Sequence, residues 1–152
     1  MEPMKRLLCS ALACASSLVL AQAEQTTLRD LEGKSPRKLN KEEITQLLTG
    51  AKMSRVSLAG SRHFWTNEPG GSFVISSDNM GPGVPERYRG RPSSQAGKWH
   101  ISDDGRYCVL IEWKAVPTEE WCRFVLQTSD GYYAVRSDSV GTERAHKLEI
   151  SK

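Results

Sequence analysis

Apolar positions recur at helical spacing between residues 39 and 50 and alternate with polar ones beyond Gly50, so the chain changes period once. In the first segment Ile44, Leu47 and Leu48 fall on one helix face. Asn40 is placed to cap that helix, Glu43 completes a capping-box pair, and Leu39 faces Ile44 as a staple. Gly50 supplies the left-handed residue that ends it.

The alternating part begins with short extended pieces around Val56 and Leu58, then around Phe64 and Trp65. Residues 72–77, with Phe73, Val74 and Ile75, follow a Pro69-Gly70-Gly71 turn. Residues 78–95 hold Gly81, Pro82, Gly83, Pro85, Gly90 and Pro92, the punctuation of a mobile loop whose one strand-like fragment is Arg87-Tyr88-Arg89. The strand signal is clearest in the last third. Trp99 and Ile101 precede a tight Asp103-Asp104-Gly105 turn, and Tyr107, Val109, Ile111 and Trp113 share one face of the next strand. A bend at Val116-Pro117-Thr118 leads into a strand over 121–128, Asp130-Gly131 turns the chain, and Tyr132, Tyr133 and Val135 lie in another strand. Residues 146–150 supply a closing strand.

Turns of this length join antiparallel neighbours, because a parallel crossover needs a dozen or more residues. The expected fold is mainly β: an antiparallel meander forming a small barrel or curved sheet, with one N-terminal helix over an edge or open end. Closure would remove the exposed strand edges.

The N-terminal segment follows a different pattern. Lys5 and Arg6 precede an apolar, small-residue stretch over 7–20, and Ala21-Gln22-Ala23 then presents the small-x-small pattern of a secretory cleavage site. A spanning helix needs about 20 apolar residues, whereas this stretch is shorter and interrupted by Ser10, Ser16 and Ser17, so no permanent membrane anchor is expected. A lipid-bearing Cys14 is the weaker alternative, since the apolar run before it is short and Ala11 stands where a larger aliphatic is usual. The expected organisation is a signal peptide over 1–23, a loosely held polar lead-in over 24–38 and a single β-rich domain over 39–152, periplasmic or secreted.

Removing 23 of 152 residues leaves 129, enough for one core. Lys plus Arg falls from 21 to 19 and Asp plus Glu from 18 to 17, a net charge of +2 that creates no field for nucleic acid. In an oxidising compartment the surviving pair, Cys108 and Cys122, reads as a disulfide. Their register stays open: a directly opposed pair needs a turn centred on Ala115, and a diagonal bridge or bulge is equally compatible.

Candidate chemistry is sparse. His63, His100 and His146 are the available imidazoles, and no two have metal-ligand spacing, so a metal site would have to assemble from separate strands. There is no G-x-S-x-G elbow, and the pairs Asp103-Asp104 and Glu119-Glu120 fall in predicted turns. In extended conformation Arg87, Arg89 and Arg91 would project from one face, a candidate anion-binding row for partners such as anionic envelope lipids. Trp65, Trp99, Trp113 and Tyr107 are candidates for an aromatic pocket, with core packing the simpler reading, and Trp121, opposite Cys122 in alternation, is expected to face outward.

Leu48-Thr49-Gly50, Gly97-Lys98-Trp99-His100-Ile101, Gly105-Arg106-Tyr107-Cys108, Trp113, Cys122 and Gly131-Tyr132 occur in that order. In this the chain resembles, over residues 39–135, the proteobacterial family of exported proteins known as domain of unknown function 995. The resemblance implies a Gram-negative envelope setting and carries no catalytic residue, because that family has no established activity. The functional expectation is a non-catalytic exported binding or interaction protein without a cofactor, whose partner is an envelope protein, a lipid or a small ligand. The alternative is a metal-binding or hydrolytic envelope protein with a site built from dispersed His and carboxylate residues.

Overall fold

The computed structural model describes residues 25–114 and 116–152; the expected signal peptide lies outside the described residues. Helix α1 (Lys41–Leu48) starts as its sequence predicts. The Asn40 side chain accepts from the Glu43 backbone N–H, and the Glu43 carboxylate accepts from the Asn40 N–H, both at 2.9 Å. Gly50 follows with φ of 71°.

The strands are β1 (Arg37–Lys38), β2 (Lys52–Val56), β3 (Arg62–Thr66), β4 (Ser72–Ser77), β5 (Ser93–Ile101), β6 (Tyr107–Ile111), β7 (Glu119–Thr128), β8 (Gly131–Val135), β9 (His146–Lys147) and β10 (Glu149–Ser151). All pair antiparallel, in the order β10-β2-β3-β4-β5-β6-β7-β8-β9, with β1 added beside β7. β9 pairs with β8 and β10 with β2, and only Leu148 separates β9 from β10. The last segment therefore bridges the two ends of the meander and makes a nearly closed barrel. This is the mainly β class expected from the alternating pattern.

Alternation assigns the two faces. Met53, Trp65, Phe73, Ile75, Trp99, Tyr107, Val109, Ile111 and Val125 point inward and form one buried cluster with Leu39, Ile44 and Leu48 from the helical segment. Residues of α1 reach the strand ends: Lys41 pairs with Asp103 in the β5–β6 turn, and the Lys152 ammonium donates to the Gln46 carbonyl. The helix thus closes one end of the barrel. Gly97 on β5 lies under the Phe73 ring, where an added Cβ would come within 2.1 Å of a ring carbon. The inward alternation there depends on a residue without a side chain.

Cys108 and Cys122 are directly opposed in the β6–β7 ladder and form the expected disulfide, so the open question of register is resolved as the direct pairing. Closing a loop of this size stabilises the fold by about 3 kcal/mol in the chain-entropy model.

Three local expectations change. Residues 26–38 are held rather than loose: a 3-10 turn over Arg29–Lys34 buries Leu31 completely against Leu126, Tyr133 and Val135 on the outer face of β7 and β8 and against Ala145 just before β9. An isolated bridge from Thr27 to Arg144 and the short β1 tie the segment at both ends. The second change concerns residues 78–92, which are a tied loop, with 93–95 belonging to β5. Lastly, Trp121 faces inward, because the direct Cys108–Cys122 pairing turns Cys122 outward and its neighbour in.

Candidate functional site at the loop end of the barrel

At the end opposite α1, inward positions are polar and charged instead of apolar. Arg55 near the end of β2 and Glu119 at the start of β7 form an ion pair at 2.6 Å. β2 and β7 are not neighbours in the sheet, so the pair spans the barrel interior. Two indoles fix the carboxylate: Trp121 Nε1 donates to Glu119 Oε1 at 2.9 Å and Trp113 Nε1 donates to Oε2 at 3.2 Å. The Arg55 guanidinium lies 5.9 Å from the Trp65 ring and 6.0 Å from the Trp121 ring, within cation–π range of both. His63, opposite Arg55 in the β2–β3 ladder, packs on Trp113 at 5.4 Å between centroids, with its Nδ1 3.5 Å from Arg55 Nη2.

The electrostatics follow from this packing. Burial raises the Glu119 carboxyl, but the Arg55 hydrogen bond and charge and the two indole donors outweigh it, so its pKa falls below the ordinary 4.5. Glu119 is therefore ionised and engaged on both oxygens, an arrangement that stores charge and does not donate protons at neutral pH. Burial, then the Arg55 charge, lowers His63 below 6.5 and keeps it neutral. Arg123, inward on β7, stacks over Trp121 at 5.7 Å and has no carboxylate partner among the described residues. Arg55 and Glu119 offset one another, and so do Arg136 and Glu143 beside Arg123, which leaves the Arg123 charge in excess.

Beneath the ion pair the barrel is filled. The Tyr107 hydroxyl donates to Asn67 Oδ1 at 3.0 Å and accepts from Trp65 Nε1 at 3.2 Å, and burial pushes its pKa up to about 12. Trp99 is also buried, its Nε1 donating to the Glu68 carbonyl at 2.9 Å. Of the aromatic-pocket candidates, Trp65, Trp99 and Tyr107 are core, and only Trp113 reaches the loop end. A depression of about 1020 Å³ on the outer face of β2–β5 around Phe64 and Val74 is open, without the enclosure of a ligand cavity.

The other sequence candidates separate. His63 and His146 share the inward face with Val125 and Ala134, whereas His100 lies outward opposite Cys108. Among the described residues no three His, Cys, Asp or Glu side chains gather as a metal site. Residues 86–88 form a 3-10 turn and not an extended segment, so Arg87, Arg89 and Arg91 make no single row. Arg89 turns back onto its own loop, donating to the Pro82 and Val84 carbonyls and pairing with Glu86. Asp103 and Asp104 are turn residues as expected, but Glu119 opens β7 and faces inward.

Of the three residues at the centre of this site, Arg55 carries no sequence expectation, Glu119 is expected in a turn and Trp121 is expected to face outward. An inward Arg one residue before a strand ends was the available signal, since a charge at an alternating apolar position asks for a partner. The chain matches no protein-family model, no curated protein and no solved structure.

Proposed function

We propose that the protein is a non-catalytic exported binding module that works through the loop end of its barrel. One observation carries this reading: α1 and the aromatic core fill one end, while the other gathers an indole-clamped cross-barrel ion pair, an Arg123 with no carboxylate partner among the described residues and four connecting loops. A rigid scaffold with charged and aromatic groups under its loops is suited to recognition. Glu119 is spent on Arg55 and two indoles, and Tyr107 is held protonated, so neither is poised as an acid, base or nucleophile. The envelope setting is supported by the basic, apolar and small-residue order of residues 5–23, by the disulfide and by the family resemblance stated above.

Nuclear magnetic resonance mapping of backbone amides tests the reading. Carboxylate, phosphate and lipid-headgroup probes are expected to shift residues of the loops at 57–61, 78–92 and 112–118 and to leave α1 unshifted. Shifts centred on α1 would overturn it, as would turnover of an envelope substrate that a single side-chain change abolishes.

A further inference from the structure

Two loops at this end are welded into one rigid tip. The Gly83 N–H donates to the Ala59 carbonyl at 3.0 Å and the Gly81 N–H donates to Ser61 Oγ at 3.1 Å. A Cβ on Gly81 would lie 2.0 Å from the Ala59 carbonyl oxygen, so the backbones touch where only glycine fits. Asn79 Nδ2 donates to the Arg91 carbonyl at 2.6 Å, and Arg89 stitches Pro82 and Val84.

This tip holds apolar side chains in solvent. Leu58 is fully exposed at 103%, Met80 is 63% exposed and Tyr88 46%. Ordering a loop normally tucks such groups inward, and Val84 in the same loop is indeed buried. The charges beside them are uneven. Asp78 accepts from the Arg62 and Met80 backbone N–H groups, and Glu86 is paired with Arg89. Arg87, lying over the Tyr88 ring at 4.8 Å, and Arg91 have no carboxylate partner among the described residues.

We infer that the double loop over 57–61 and 78–92 is a membrane-docking tip that places Leu58, Met80 and Tyr88 in the interface of an anionic lipid surface, with Arg87 and Arg91 on its headgroups. The inference rests on the loop-end reading above and names the partner of that end. Exposed apolar residues on hydrogen-bonded loops suit lipid, which receives protruding side chains without a complementary groove, and Tyr spans the wet and apolar sides of such an interface. Unpaired cations beside the apolar group supply the attraction to negative headgroups.

The test is co-sedimentation with vesicles of phosphatidylglycerol and phosphatidylcholine, against phosphatidylcholine alone, at low and high salt. Protein is purified in the form the cell accumulates, so that residues 1–24 are the same in every variant. Binding is expected on the anionic vesicles, weakened by salt. Leu58→Asp should weaken it about tenfold and each of Arg87→Gln and Arg91→Gln about fivefold. Thermal unfolding should be unchanged in all three, since these side chains are exposed. No binding by the native chain, equal binding to both vesicle types, or binding that survives Leu58→Asp overturns the inference. Amide shifts at the loop end caused by a soluble ligand, without vesicle binding, would sink the lipid partner and leave the binding-module reading standing. Vesicle binding together with turnover that one side-chain change abolishes would do the reverse.

Discussion

Arg55 and Glu119 meet at 2.6 Å across the interior of the barrel, on strands that share no ladder. A contact of this kind adds a charged tie between two walls that share no hydrogen-bonded ladder. Removing one partner leaves a half-buried charge, which costs more than the pair itself contributes.

Glu119→Gln is therefore expected to destabilise the protein by about 1–3 kcal/mol in urea unfolding, with the indole donors left on a weaker acceptor. Arg55→Met combined with Glu119→Gln should recover most of that loss, because the unpaired cation is then gone. If the double variant is as unstable as the sum of the singles, the two residues are not coupled.

Stability should fall toward acid in two stages. His63 is lowered below 6.5 by burial and the Arg55 charge, so as pH drops through 6.5 the unfolded chain takes up a proton that the fold does not, and stability declines. His146, also lowered, by burial and the Arg144 and Arg123 charges, acts with the same sign. Glu119 is held below 4.5, and its contribution, complete above that value, is lost as pH falls through its folded pKa. Urea midpoints from pH 8 to pH 3 measure the profile. His63→Gln should flatten the first stage and leave the second.

Gly97→Ala should destabilise the barrel by about 1–3 kcal/mol through overpacking, since its methyl would enter the Phe73 ring. Phe73→Leu in the same chain should restore part of the loss by vacating that space. Denaturation midpoints of the single and double variants decide the matter.

Leu31→Ala should cost about 2–5 kcal/mol although it lies in the polar lead-in, because Leu31 is fully buried against the outer face of β7 and β8. A change of only a few tenths in equilibrium unfolding would mean that residues 26–38 dock without contributing to stability. Hydrogen exchange at Leu31, whose amide bonds the Leu28 carbonyl, offers an independent check.

The elements that could be read in advance were those whose cause is local. Asn40 and Glu43 satisfy each other's backbone N–H groups three residues apart, and the capping box is found where the pattern places it. Tyr107, Val109 and Ile111 alternate on one strand face and all point into the core. Alternation sets Trp121 opposite Cys122 but does not say which of the two faces the core, because a one-residue shift in pairing exchanges inside and outside and one strand does not reveal its partner's register. Arg87, Arg89 and Arg91 likewise form no row. Extended geometry would align them, but Arg89 finds carbonyls in its own loop and the segment winds into a 3-10 turn.

Short-range pattern alone thus sufficed for the β class, the antiparallel meander, the capped helix and the identity of the disulfide partners, because each depends on residues that communicate along the chain or across one turn. The partnership of Arg55 with Glu119, the inward turn of Trp121, the burial of Leu31 and the welding of two loops through Gly81 came only with closure. Closure brings side chains from distant strands to one end, and which of them meet is set by register and curvature summed around the whole ring.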